Sequence, residues 1–157
     1  MAASDEFVTI VAERPDSEAG AALIGELEDF LTPLYPAQSR HGFSVEKLIA
    51  EKVAFFVLRY KGIPAGCGGV KLFGTEYGEI KRIFIRQQFR GLGLSTSMME
   101  HLEEYARKRG ISILRLETGI YQQEAIGLYE KLGYRRVGPF GEYKEDPLSL
   151  YFEKRMV

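Results

Sequence analysis

Cysteine is almost missing from this chain: Cys67 is the only one, which excludes an intramolecular disulfide and any metal site built from thiolates. Histidine is scarce as well. His41 and His101 lack clustered carboxylates along the chain, which argues against a metal centre. Neither sign of charge is in excess, since 21 basic and 22 acidic residues leave a net charge of -1. No global field is therefore available to draw the protein onto nucleic acid or an anionic membrane. The longest basic block, Arg107-Lys108-Arg109, suits the C-terminus of a helix better than a nucleic-acid patch. No apolar run approaches the roughly 18 residues that span a bilayer. The start, MAASDEF, has neither a basic segment nor an apolar one of the signal-peptide kind, so a cytoplasmic protein is expected.

What remains is ordinary globular material. The chain has 157 residues, 45% hydrophobic and 27% charged, enough for one domain over residues 1–157 with a sizeable core. EFVTIVAERP reads as a first strand stopped by Pro15, after which Asp16 or Ser17 can cap a helix. Leu23, Leu27, Phe30, Leu31 and Leu34 recur at helical spacing on one face. TPLYPAQSRHGF breaks that helix, and SVEKLIAE allows a second, short one. KVAFFVLRY is a nearly continuous apolar run, the mark of a strand covered on both faces. Cys67, within AGCGGV, reads as a small buried residue of the next strand rather than a reactive thiol.

Tight turns at KGIP and GTEYG join three consecutive strands into an antiparallel meander ending in EIKRIFI. A helix follows with Leu94, Met98, Leu102, Tyr105 and Ala106 on one face and Gly110 at its end. ISILRLE is a strand, QQEAIGLYEKLG a helix, and YRRVG and LSLYFEK two closing strands. The predicted order is βααβββαβαββ, a mixed α/β sheet flanked by helices.

The stretch RQQFRGLGLSTSMM places Gly91 and Gly93 between the fourth strand and the third helix. Unpaired amides at a helix N-terminus carry partial positive charge and bind phosphate oxygens, and glycine lets a ligand reach the backbone. Arg90, and Arg86 beside it, could add charge-assisted contacts. A nucleoside-triphosphate loop is excluded, because Gly93-Leu94-Ser95 has no lysine. A dinucleotide loop fits poorly, because Thr96 stands where its third glycine would be and hairpins precede it. On the loop alone, phosphate binding and a plain turn remain equal alternatives.

The flanks add a resemblance. EIKRIFIRQQFRGLGLSTSMMEHLEEYARKRG and LRLETGIYQQEAIGLYEKLGYRRVG together resemble the GNAT superfamily of acetyl-coenzyme A dependent N-acetyltransferases. The coenzyme A loop pattern maps onto Arg90-Gly91-Leu92-Gly93-Leu94-Ser95, departing only at Ser95, and a second helix motif maps onto Ala125 to Tyr134. The resemblance implies a fold whose fourth and fifth strands splay apart to admit the cofactor. Backbone groups of Ile83, Phe84 and Ile85 would hold the pantetheine arm, and the loop amides the pyrophosphate. It also makes a homodimer common, and it implies acetyl-CoA as cosubstrate with no metal.

Acetyl transfer needs a neutral amine, a polarised thioester carbonyl and a protonated leaving thiolate. Glu79, starting the fourth strand, is the first candidate for the base, and Glu117, ending the next strand, the second. Tyr129 lies on the apolar face of its helix, which by periodicity is a core position; the superfamily places a tyrosine there as the acid. Tyr35, Gln38, Arg40 and His41 would form one wall of the acceptor site, and Glu142 and Tyr143 the other. A carboxylate-bearing acceptor would suit Arg40, and a polyamine Glu142 and Glu117. His101 reads as structural. The expected function is acetyl transfer to a small amine or an amino-acid-like molecule, directly in a ternary complex and without a covalent intermediate. The rival is a coenzyme A binding module without turnover.

Overall fold

The structure is a computed structural model and describes residues 5–156. Its seven strands form one sheet in the order β1-β2-β3-β4-β5-β7-β6. β1 (Val8–Ala12), β2 (Ala54–Tyr60), β3 (Ile63–Phe73) and β4 (Tyr77–Ile85) form the antiparallel half. β5 (Ile113–Gly119) joins β4 in parallel, and β7 (Ser149–Arg155) pairs antiparallel with both β5 and β6 (Arg135–Val137). The helices are α1 (Glu18–Leu31), α2 (Val45–Ala50), α3 (Leu94–Lys108) and α4 (Gln123–Lys131), so the order read from the sequence holds. No helix among the described residues is long and apolar enough to cross a membrane.

The apolar run of β2 is buried on both sides by the alternation of a strand. Phe55 and Val57 pack with Leu23 and Ile24 of α1 and Leu48 of α2. Phe56 and Leu58 pack with Met98, Met99 and Leu102 of α3 on the other face. Ser17 caps α1 by accepting from Gly20 N at 3.0 Å, and Ser44 caps α2 by accepting from Lys47 N at 3.1 Å. Cys67 is fully buried in the α1 face, and burial pushes its thiol well above the ordinary value, so it stays a thiol. The expected apolar stripe of α1 is corrected at its end. The helix stops at Leu31 ahead of Pro33, leaving Phe30 and Leu34 exposed, while Ile24 joins the core.

Two irregularities of β4 open the sheet. β4 and β5 pair only at Gly78↔Leu114 and Glu79↔Arg115 and then diverge. Against β3, Cys67 faces Phe84 and Gly69 faces Lys81, so Gly68 stands opposite both Arg82 and Ile83. That extra residue is a β-bulge, with Arg82 at a left-handed φ of 59°. Such a conformation costs on the order of 1–3 kcal/mol and needs fixed surroundings. Here Arg82 Nε donates to the Phe43 carbonyl at 2.8 Å and the guanidinium pairs with Glu28. A side chain on Gly42 would collide with that guanidinium.

Candidate functional site

The gap between the diverging strands holds two adjoining cavities. The larger, about 510 Å³, is lined by Ile83, Phe84 and Ile85 of β4, by the loop into α3, and by α4. Gly91 and Gly93 take φ of 83° and 76°, which glycine alone adopts without strain. Gly93 caps α3 and supplies no side chain to its first-turn amides. Arg90 lines the cavity with its Nε donating to the Ile85 carbonyl at 3.3 Å. Leu94 and Ser95 line it also, whereas the Leu92 side chain turns away to pack on the α3-side core. Arg86 does not serve the loop: its guanidinium binds both Glu26 oxygens, at 2.9 and 2.6 Å, and the Pro64 carbonyl. Phe30, left exposed by the end of α1, lines the cavity too, its ring 6.0 Å from the Arg90 guanidinium.

The smaller cavity, about 90 Å³, is walled by α1 and the loop after it, by β4, and by β5. Tyr143 Oη donates to Glu79 Oε2 at 2.5 Å, and Lys81 Nζ lies 3.0 Å from the same oxygen and from Tyr143 Oη. His41 Nε2 stands 3.3 Å from Asp146 Oδ2, with its ring edge-on to Tyr143. Glu117 Oε2 accepts from Ser149 Oγ at 2.8 Å. Burial raises the Glu117 carboxyl above the ordinary glutamate value, against the Ser149 hydrogen bond and the nearby His41 and Lys81. Arg40 donates from Nη1 to Thr32 Oγ1 at 3.1 Å, and its Nε has no partner.

Tyr35 lines this cavity too, but its hydroxyl also builds the β5–α4 turn. It accepts from Tyr121 N at 3.0 Å and donates to Gln122 Oε1 at 3.2 Å. Gln122 Oε1 in turn accepts from Gly119 N at 3.1 Å. Glu142 and Gln38 were expected in the acceptor walls; both are exposed and line neither cavity. Glu142 lies in the loop after β6, where Tyr143 turns inward and its neighbour turns to solvent. Lys81, Arg82, Glu28 and Gln122 line the smaller cavity without belonging to a sequence motif. Lys81 carried a signal: two residues from Glu79 on one strand, it points the same way.

The cavities meet at Tyr129, Ile83, Leu27 and Gln122, which line both. Tyr129 is buried to 6% exposure against Tyr134 and Phe152, so the core position read from periodicity and the place at the junction are both real. Burial, helped by the Glu117 charge, pushes its phenol well up, so its hydroxyl stays protonated at neutral pH. His101 stacks edge-on to Phe56 on α3, away from both cavities, and burial lowers its pKa.

Against known proteins, residues 21–134 match the model of the Acetyltransferase (GNAT) family. The IAA acetyltransferase of Azospirillum brasilense is 44% identical over 149 residues, which cover 94% of this chain and 97% of that one. An uncharacterized N-acetyltransferase of Bacillus subtilis, YsnE, is 33% identical over 86% of this chain and 91% of its own. A crystal structure of an acyl-CoA N-acyltransferase from Klebsiella pneumoniae is 34% identical and superposes with a TM-score of 0.82 over 98% of this chain and all of that one. A GNAT family acetyltransferase from Elizabethkingia anophelis, solved with acetyl-CoA bound, shares the fold with a TM-score of 0.73 at 16% identity. With that match over most of its length, and with such relatives end to end, the chain belongs to the GNAT family of acetyl-CoA-dependent acetyltransferases.

Proposed function

We propose that the chain moves an acetyl group from acetyl-CoA directly to a primary amine of a small acceptor, with both bound at once. The observation that carries this reading is Tyr129, a buried, protonated phenol standing where a roomy cavity with a bare helix N-terminus meets a small polar one. The residues present fit the cosubstrate. The uncapped amides of α3, the left-handed Gly91 and Gly93, and Arg90 suit a pyrophosphate. Beyond Glu79, β4 has no strand partner on the β5 side, which leaves Ile83 to Ile85 to pair with an extended pantetheine arm. Acetyl-CoA supplies an acyl group already activated as a thioester.

The acceptor's ammonium must lose a proton before it can attack. The sequence put Glu79 first for this task, but the Glu79 carboxylate already accepts from Tyr143 and Lys81. Glu117 has no ion pair among the described residues, and burial raises its affinity for a proton toward the working pH of a general base. Glu117 therefore takes the proton, and Glu79 holds Lys81 and Tyr143 in the wall. A backbone amide within Ile83 to Ile85 donates to the acyl oxygen, and Tyr129 protonates the departing thiolate.

The test is an amine screen with acetyl-CoA, reading thiol release, for the wild type and Tyr129→Phe. IAA joins the screen because a relative 44% identical carries that name. Turnover that falls by about 10²-fold or more in Tyr129→Phe, with little change in acetyl-CoA affinity, supports the reading. Unchanged turnover returns Tyr129 to a packing role. Binding of acetyl-CoA with no turnover on any acceptor favours the non-catalytic module.

A further inference from the structure

The charged groups lining the small cavity nearly all neutralise one another. Arg82 pairs with Glu28 and Lys81 with Glu79, while the His41 ring is hydrogen-bonded to Asp146. Two groups are left over among the described residues, one of each sign: Arg40 and Glu117. Arg40 binds only a neutral hydroxyl, that of Thr32, and its buried Nε has no partner. Glu117 accepts from the Ser149 hydroxyl and has no cation within ion-pair distance. They come from different walls, Arg40 from the loop after α1 and Glu117 from the end of β5.

Half-buried charges without counter-charges are costly, and a ligand that supplies both opposite signs removes both costs at once. A plain amine would satisfy Glu117 and leave Arg40 unmatched. A polyamine would need a second carboxylate, and Glu142, the residue that suggested one, stands outside the cavity. The guanidinium fork matches a carboxylate in geometry as well as charge. The cavity's small size, about 90 Å³, suits a compact polar head.

We propose that the acceptor is a zwitterion, an amino acid or close analogue, whose carboxylate docks on Arg40 and whose amino group lies at Glu117. This assignment deepens the acetyltransferase reading and rests on it for the fate of the amino group, but not for binding. Arg40 is accordingly a specificity residue that touches the acceptor away from the reacting nitrogen.

The experiment is calorimetric binding to the coenzyme A-saturated protein. Its probes are the twenty protein amino acids, the amines left by their decarboxylation and the acids left by their deamination. At least one amino acid is expected to bind, and its counterparts lacking either charge to bind at least tenfold more weakly. Arg40→Gln should weaken the amino acid by about 10- to 100-fold, to the level of its amine, with coenzyme A affinity unchanged as proof of folding. Arg40→Lys should fall between. The proposal is overturned if no amino acid binds, if the bare amine binds as tightly, or if Arg40→Gln changes nothing. Turnover on the same panel separates the two readings: an amino acid bound but never acetylated defeats the proposed reaction and leaves the docking site standing. Acetylation of bare amines with no amino acid bound does the reverse.

Discussion

Glu117 is costly in the folded protein. Its carboxylate is largely buried and has no ion-pair partner among the described residues, so burial outweighs the more distant Lys81, the protonated form is favoured and the pKa rises. A carboxyl that binds its proton more tightly folded than unfolded costs stability above both values and ceases to do so as pH falls through the folded one. Glu117→Gln should thus leave the melting temperature at pH 8 equal or higher while lowering kcat by about 10²- to 10⁴-fold. The wild-type kcat/KM should fall on the acid side with a midpoint above the ordinary glutamate value of about 4.3, and this limb should vanish in the variant. His41, Lys81 and Glu79 all face Glu117; protonation of His41 opposes the rise, and the Glu79 charge adds to it. A variant that keeps the acid limb and its turnover would hand the base role back to Glu79.

Among the elements, the loop into α3 is the most local piece of the site and was the most legible. Its glycines, its arginine and its helix all lie within one short stretch, so sequence spacing alone conveyed their placement. Gly93→Glu puts a side chain into a left-handed cap at a cost of about 1–2 kcal/mol, or a fall of roughly 2–8 °C in Tm. It also sets a negative charge at the helix N-terminus proposed to hold the pyrophosphate. Coenzyme A binding measured by calorimetry should disappear while circular dichroism stays native. Retained affinity would mean that the anion sits elsewhere. Arg86 illustrates the limit of local reading: adjacent in sequence to the loop, it faces Glu26 on α1, a partner sixty residues away.

At the scale of the molecule, a ligand in the larger cavity touches β4, α3's loop and α4, and so bridges the antiparallel half of the sheet to the other. Acetyl-CoA and coenzyme A at about 100 times their dissociation constants should add about 2.7 kcal/mol, a rise of roughly 5 to 10 °C for a chain of this length. NADH at the same concentration should add nothing. No rise with either coenzyme A species would remove the basis of the proposed reaction.

The order βααβββαβαββ was determined by sequence, because hydrophobic period, glycine and proline punctuation and serine caps are properties of neighbouring residues. So were the both-face burial of β2 and the bare loop before α3. The smaller cavity was not, because separated segments converge on it, and which charges cancel depends on which strands meet. Glu79 could be picked out as a strand-end acid, but its engagement by Lys81 and Tyr143 arises only when the loop after β6 folds over β4. Glu142 and Tyr143 are indistinguishable as loop neighbours, and only packing turns one inward. The chain's local chemistry thus specified its elements and its helix-mouth loop, while the splay of β4 from β5 and the pairing of charges across it were decided by tertiary contacts alone.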